Sequence, residues 1–297
     1  MLYLLVIAAT FISNIPSLTQ KKFCAFVNYN SSATDLFMVG IASSVSITYF
    51  ILAKGDIFSN KYAVIFGLIY GFICSASNII LVKAYSKISL IEISLYQKAS
   101  IVLTWFCGII FFKDAVKLTG IISVAIILGS VFFHAFNLEP NQKKNTASYM
   151  IGFYIAVSGM FSSVLLKTYA LLPSSDYTGM SVLCFYTNIF MLVILGAKFL
   201  KSSGIIKNHK QFFSSISEVK PAYFLLLIPY SLCNALGTFL SVPYLKEIPL
   251  SVQTIFSTGA ASIVYFVFSK FAFRESIDKH TLIGWIFATL AAAVSVF

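Results

Sequence analysis

Apolar runs of about 20 residues alternate with short polar segments along the chain, a pattern typical of membrane-spanning helices. The pattern predicts ten helices, over residues 2–19, 34–53, 62–83, 90–112, 117–137, 148–171, 177–199, 221–244, 250–271 and 280–297. The longest polar connections are residues 138–147 and 200–220, and neither is long enough for a soluble domain. We therefore expect an all-α integral membrane protein with ten transmembrane helices.

Composition supports this class. Of the 297 residues, 59% are apolar and only 10% are charged, whereas soluble domains carry about 25% charged residues. The net charge of +11 comes from lysines that stand singly or in pairs between apolar runs, as basic residues that flank membrane spans do. The predicted partner of these charges is therefore the lipid bilayer, and not a nucleic acid.

Two segments of the chain occur twice. Residues 111–116 (FFKDAV) correspond to 272–277 (AFRESI), and residues 85–90 (YSKISL) correspond to 244–250 (YLKEIPL), at an offset near 160. We interpret the chain as a duplicated five-helix unit, with a first repeat at 1–141 and a second at 147–297. Because five is an odd number of spans, the second copy enters the membrane upside down, as in transporters built from inverted repeats.

These features resemble the drug/metabolite transporter superfamily, and specifically its ten-helix EamA-like branch. Asp114 and Glu275 stand at the family's usual Gly-Glu position, although Lys113 and Arg274 replace the glycine, and Gly120 and Gly284 follow them. The resemblance covers the whole chain. It implies a multi-pass transporter of the cell (inner) membrane that works as a monomer or a weak homodimer.

Enzyme motifs are absent from the sequence. It contains three histidines, no H-E-x-x-H, no G-x-S-x-G and no P-loop, and its acidic residues are scattered. The five cysteines include no C-x-x-C pair. We therefore predict no enzymatic activity, no metal site and no cofactor.

Polar residues recur at helical spacing on helices one, three, four, six, eight and nine, which favours a water-filled cavity at the membrane midplane that binds a small-molecule substrate. The alternative is hydrogen bonding between helices, which also enriches Ser, Thr, Asn and Gln at buried faces; Gly67 and Gly71 indicate close helix packing. The candidate substrate-binding residues are Asn14, Ser75, Asn78, Tyr96, Lys98, Trp105, Ser162, Tyr230, Asn234, Thr238, Gln253 and Ser257.

Three charged residues within helices are candidates for coupling transport to a proton. Ser89 and Glu92 have the spacing of a capping box, which gives Glu92 a structural explanation as well. Lys98 lies about 14 Å along the helix from Ser89, near the bilayer centre, where an ionisable residue is by default a functional hypothesis. The alternative for Lys98 is a buried structural ion pair. Lys167 lies closer to a helix end.

The favoured function is secondary transport of a small polar or amphipathic organic solute, an amino acid or a related carboxylate. Residues 94–99 (SLYQKA) are also similar to the lysine region on helix four of plastid phosphate translocators and nucleotide-sugar transporters. This resemblance implies the alternative of a nucleotide-sugar or phosphorylated-metabolite exchanger. A further alternative, from another class, is a non-transporting membrane scaffold or receptor, in which the polar residues pair with one another.

Membrane orientation has two conflicting indications. Odd-numbered loops hold 14 basic residues and even-numbered loops hold 5, so the positive-inside rule places both termini outside. The family resemblance implies cytoplasmic termini. A compartment-specific reporter fused after Phe297 distinguishes the two orientations.

Overall fold

A computed structural model describes residues 2–54, 56–58, 60–86, 88–136, 146–173, 175–202, 221–275, 277 and 279–294. Within these residues the chain forms ten α-helices and no strand, as predicted. They are α1 Leu2–Phe26, α2 Ser31–Leu52, α3 Lys61–Tyr85, α4 Leu90–Phe112, α5 Leu118–Phe136, α6 Thr146–Ala170, α7 Tyr177–Ser202, α8 Leu227–Glu247, α9 Leu250–Val267 and α10 Lys279–Val294. A 3₁₀ turn, Pro221–Leu226, precedes α8, and a π-helical turn, Phe268–Ala272, continues α9.

Helix α1 is longer than predicted. It ends at Phe26 and includes Lys21 and Lys22, because lysine has a high helix propensity and a helix can continue past the edge of the apolar core. Eight of the helices in the described part of the chain are long and apolar enough to cross a membrane. By length and composition, the described part of the chain therefore has eight candidate membrane spans, as a multi-pass helical membrane protein does. Of the predicted loops 138–147 and 200–220, residues 138–145 and 203–220 lie outside the described residues.

The helices form two compact units. The first unit comprises Met1–Phe11, Lys83–Thr168 and Pro243–Phe297, and the second comprises Ile12–Val82 and Tyr169–Val242. The first therefore contains α4, α5, α6, α9 and α10, and the second contains α2, α3, α7 and most of α8. Each unit combines helices from both halves of the chain.

In the second unit, α2 packs along α7. Asp35 near the start of α2 forms an ion pair with Lys198 near the end of α7, and the Ser202 hydroxyl donates to the same carboxylate at 2.7 Å. The two helices are therefore antiparallel. Their apolar core includes Phe23, which stacks on Phe37 with ring centroids 3.8 Å apart.

Helices α3 and α7 approach closely at the predicted glycine pair. A Cβ atom added to Gly67 would lie 2.6 Å from Cβ of Tyr186, and one added to Gly71 would lie 2.8 Å from the carbonyl oxygen of Thr187. No side chain fits at either position, which confirms the prediction that these glycines serve close packing.

In the first unit, α4 packs along α9, and α5 packs along α10. Asp114 follows α4, and its Oδ2 accepts from the backbone N–H (2.9 Å) and the hydroxyl (2.8 Å) of Ser251, at the start of α9. Glu275 follows α9, and its Oε2 accepts from the backbone N–H of Leu90, the first residue of α4, at 3.0 Å. The two carboxylates thus satisfy N–H groups that helix starts leave unpaired.

The residue before each of these carboxylates has a left-handed backbone. Lys113 has φ 56° and Arg274 has φ 50°, and the N–H of the following acid bonds back to Gly108 or Ser269, six residues earlier. This bond is one residue wider than that of a Schellman helix end, and it likewise closes around a left-handed residue, a conformation for which glycine is the usual residue. The segments that recur in the sequence therefore adopt the same local structure.

Candidate functional site

Helix α4 positions the central lysine, and its start is fixed by the predicted capping box. The Ser89 hydroxyl accepts from the backbone N–H of Glu92 at 3.3 Å, and the Glu92 carboxylate accepts from the backbone N–H of Ser89 at 3.1 Å. The structural interpretation of Glu92 is confirmed. Lys98 follows two turns later on the same rigid helix.

Lys98 is fully buried, with 0% of its surface exposed. Its Nζ donates to the backbone carbonyl of Trp285 at 3.2 Å and to the hydroxyl of Thr289 at 3.3 Å. Both acceptors belong to α10, which is not among the helices predicted to line the cavity. The sequence pattern located Lys98 on a buried face but did not identify the helix that this face contacts.

The indole of Trp285 completes the surroundings of the Lys98 ammonium group. Its ring centroid lies 5.5 Å from Nζ, within the range of a cation–π contact. The ring is held in place because its Nε1 donates to the carbonyl of Ser262 at 3.1 Å and its face stacks on Phe266 at 4.5 Å. In the described part of the chain, no carboxylate lies within ion-pair distance of Lys98.

This arrangement leaves the positive charge of a protonated Lys98 without a formal counter-charge. An ammonium group has three N–H bonds, and here it has two neutral oxygen acceptors and one aromatic face. Buried charges are normally paired, because desolvation is expensive. An anionic ligand at this position would supply the missing charge and would replace one of the neutral acceptors.

Several buried oxygens of the first unit have no hydrogen-bond partner in the described part of the chain. They are Oγ of Ser94 and Oγ1 of Thr104 on α4, Oγ1 of Thr119 on α5, and Oε1 of Gln253 on α9. Ser94 precedes Lys98 by one helical turn and shares its face. Buried polar groups are normally hydrogen-bonded. Among the described residues, these four unpartnered oxygens all lie in the first unit.

The other predicted residues of the first unit have packing contacts. The Tyr96 ring lies against α6, where a Cβ atom added to Gly152 would be 2.4 Å from its Cδ1. Trp105 belongs to the apolar core of α4, α5, α9 and α10. The Ser257 hydroxyl donates to the Thr254 carbonyl at 3.2 Å, and Ser162 lies half-buried on α6.

Lys167 has a structural role at a helix end. Its Nζ donates to the carbonyl oxygens of Leu245 at 2.7 Å, Lys246 at 3.3 Å and Ile248 at 2.8 Å. These residues close the C-terminus of α8, where carbonyl groups lack partners within the helix and a positive charge is favourable. The side chain is 5% exposed. Three backbone acceptors thus account for Lys167 without a ligand.

In the second unit three of the predicted polar residues, Asn78, Asn234 and Thr238, are paired between helices. The hydroxyl of Tyr49 on α2 lies 2.6 Å from Oγ1 of Thr238 and 3.0 Å from Oδ1 of Asn234, both on α8. Nε2 of Gln20 on α1 donates to Oδ1 of Asn78 on α3 at 3.4 Å. These pairs match the alternative of hydrogen bonding between helices.

Sequence reasoning missed Tyr49 and Gln20, the partners in these pairs. The available signal is that a tyrosine hydroxyl buried in an apolar helix needs a partner. The remaining predicted residues of this unit are Ser75, whose hydroxyl donates to the Gly71 carbonyl at 2.7 Å, the buried Tyr230, and Asn14 on α1. The predicted site residues are thus divided between the two units.

Comparison with family models gives no match for this sequence. Comparison with curated proteins gives none either. The fold matches 27 chains of solved structures. One of these, a crystal structure described only as that of a protein, aligns with a TM-score of 0.62 at 13% identity and covers 97% of each chain. The chain therefore shares its whole fold with a protein of known structure, and at this identity the likeness concerns the fold alone.

Proposed function

We propose that this protein is a secondary transporter that carries a small organic carboxylate, such as an amino acid, by alternating access. The observation that carries the proposal is Lys98, a lysine with no exposed surface in the middle of a membrane-length helix and with neutral partners in the described part of the chain. A charged residue at that depth costs at least about 2.5–3.5 kcal/mol on insertion scales.

The position of Lys98 makes a purely structural explanation difficult. Snorkelling would extend the side chain toward a helix end. The ammonium group instead donates to the backbone carbonyl of Trp285 on α10. Lys167 provides the contrast, because it satisfies three carbonyl groups at the end of α8. We infer that the unpaired charge of Lys98 is retained for a ligand.

The chemistry around Lys98 favours a singly charged carboxylate over a phosphate ester. A single ammonium group balances one negative charge, and basic residues are lacking on α9, where the corresponding stretch is 257–259 (STG). The unpartnered oxygens of Ser94 and Gln253 in the same unit suit the polar remainder of a small solute. In the proposed cycle the solute carboxylate replaces an α10 acceptor on Lys98, and Lys98 either remains a fixed charge or exchanges a proton.

We further propose that the chain consists of two inverted five-helix repeats of the drug/metabolite transporter type. Three helix pairs support this, because α2–α7, α4–α9 and α5–α10 each join helices that are five apart in the chain. The matching local structures at Asp114 and Glu275 support it as well. The left-handed residues Lys113 and Arg274 stand where the family's Gly-Glu pattern has its glycine, and glycine adopts that conformation most readily.

One observation favours the scaffold alternative, namely the pairing of Tyr49 with Asn234 and Thr238 in the second unit. A scaffold needs its polar groups satisfied and its charges neutralised. The second unit meets this requirement at these residues, whereas Lys98 and the unpartnered oxygens of the first unit do not. A transporter therefore fits the whole set of buried polar residues better.

The test is uptake into proteoliposomes with a panel of amino acids, polyamines, quaternary ammonium compounds and sugar phosphates. We expect uptake of an amino acid or a related carboxylate, and its loss in Lys98→Met, which keeps a long unbranched side chain but removes the charge. Lys98→Arg should restore little, because a planar guanidinium does not replace a compact ammonium group. The matched control is Lys61→Met, at an exposed position on α3.

Unfolding curves accompany each uptake measurement. Normal uptake by a folded Lys98→Met protein would contradict the proposal, and so would misfolding of that variant, because a buried carboxylate left without its lysine would then be the better explanation. Uptake of sugar phosphates alone would favour the exchanger, and no uptake of any compound by the folded wild-type protein would favour the scaffold.

A further inference from the structure

A small cavity opens at one end of the first unit, where three helices begin or end. It lies near the C-terminal half of α4, the start of α5 and the start of α9, and it has a volume of about 120 Å³. Pockets that enclose whole drug-sized ligands measure about 300–1,000 Å³. This cavity therefore has room for a charged group and not for an entire solute.

The side chains that line the cavity provide hydrogen-bond donors without acceptors. Trp105 is 8% exposed, and in the described part of the chain its indole N–H has no acceptor. The hydroxyl oxygen of Thr119 is buried and has no hydrogen-bond partner among the described residues. The exposed ammonium group of Lys117 also lines the cavity and forms no ion pair within the described residues. One indole N–H, one hydroxyl group and one ammonium group together favour an oxyanion.

The acidic residue beside the cavity is already bound. Asp114 accepts from both the backbone N–H and the hydroxyl of Ser251, which lines the cavity. Its charge is thereby held at the start of α9, where a helix N-terminus favours it. Trp105 and Lys117 remain as donors for a second anion.

The surroundings of the cavity indicate where such an anion comes from. The last turns of α4 expose Phe106, Ile110 and Phe111, and α5 begins with the exposed Leu118. Tyr3, half exposed, lines the cavity beside Trp105, and these two residue types are enriched at the headgroup level of membranes. A small, positively charged cavity at the helix ends thus lies next to exposed apolar side chains that acyl chains can contact.

We propose that this cavity binds the phosphate group of an anionic membrane phospholipid, with Lys117 and the indole N–H of Trp105 as its donors. This binding site is separate from the proposed transport function, because it needs neither the Lys98 charge nor any movement of solute. The lipid phosphate occupies the cavity while its acyl chains lie along the exposed faces of α4 and α5.

Native mass spectrometry of the purified full chain in detergent tests the proposal. Dioctanoyl phosphatidylglycerol is titrated as the anionic lipid, and dioctanoyl phosphatidylcholine is the zwitterionic control. We expect phosphatidylglycerol to bind at least about fivefold more tightly, the ratio that one lysine contributes near a membrane surface. Lys117→Gln should remove about fivefold of that affinity, and Trp105→Phe, which deletes only the N–H donor, should lower it further. Lys113→Gln, an exposed lysine four residues away that does not line the cavity, should change little.

Equal binding of the two lipids would overturn the proposal, as would equal effects of Lys117→Gln and Lys113→Gln. A competition arm identifies the source of the anion. If inorganic phosphate or acetate displaces phosphatidylglycerol at concentrations equal to that of the lipid, the cavity binds free anions and the lipid assignment is wrong. If Trp105→Phe fails to fold, the comparison of Lys117→Gln with Lys113→Gln, both at exposed positions, still decides the outcome.

Discussion

Asp114 and Glu275 each follow one helix of a pair and cap the start of the other. Asp114 ends the α4 segment and binds Ser251 at the start of α9, and Glu275 ends the α9 segment and binds Leu90 at the start of α4. The arrangement is reciprocal, so the antiparallel pair α4–α9 is closed by a carboxylate at each end. Lys98 and Gln253 both lie on this pair, and the two caps therefore fix the frame of the candidate site.

Removing either carboxylate should destabilise the protein. Asp114→Ala and Glu275→Ala should each lower the free energy of unfolding by about 1 kcal/mol, the typical value of a helix N-terminal cap. Detergent-induced unfolding followed by circular dichroism measures the change. The control is Glu247→Ala, at an exposed acid at the end of α8. If all three variants unfold at the same detergent concentration, the two carboxylates are not structural caps.

The two buried lysines should respond differently to loss of charge. Lys167→Met leaves three carbonyl groups at the end of α8 without their donor, and we expect it to lower the free energy of unfolding by about 1–3 kcal/mol. Lys98→Met leaves no such defect, because the Thr289 hydroxyl already donates to the Trp285 carbonyl at 2.8 Å. Its stability should equal that of the wild type or exceed it. If Lys98→Met lowered the free energy of unfolding more than Lys167→Met, Lys98 would be the structural lysine.

Tyr49 should contribute through its hydroxyl group alone. Tyr49→Phe keeps the buried ring but removes the bonds to Asn234 and Thr238, and hydrogen bonds between membrane helices contribute about 0.6 kcal/mol on average, up to about 1.7. We expect a loss of about 0.5–1.5 kcal/mol, measured by thermal unfolding in detergent. Tyr62→Phe, at a tyrosine that is 45% exposed on α3, is the control. A Tyr49→Phe variant as stable as Tyr62→Phe would rule out a contribution from this bond.

The close contact of α3 and α7 predicts that small substitutions at two glycines are harmful. Gly67→Ala and Gly71→Ala each force the helix backbones apart, and overpacking of this kind costs about 1–3 kcal/mol. Gly129→Ala and Gly196→Ala are matched helical controls, because nothing lies within 4 Å of an added Cβ atom. These controls should be neutral or stabilising, since alanine is the better helix former. Equal thermal stability of all four variants would contradict the close contact.

The sequence by itself determined the helices. An apolar run in lipid must pair its backbone N–H and C=O groups with one another, and a helix forms these hydrogen bonds between residues close together in the chain. The sequence also determined the capping box at Ser89 and Glu92, whose two hydrogen bonds join residues three apart. The Gly67 and Gly71 pair was recognisable for a similar reason, since its spacing of four residues is about one helical turn.

Only the tertiary structure decided which distant groups meet. Helical periodicity identifies the face on which Lys98 lies, but it carries no information about the helix that packs against that face, and here this helix is α10. The same holds for the pairing of Tyr49 with Asn234 and for the two compact units, each of which draws helices from both halves of the chain. Such contacts depend on how complete helices pack together. Packing depends on the shapes of two helix surfaces at once, and the residue pattern of one helix does not specify which other helix it packs against.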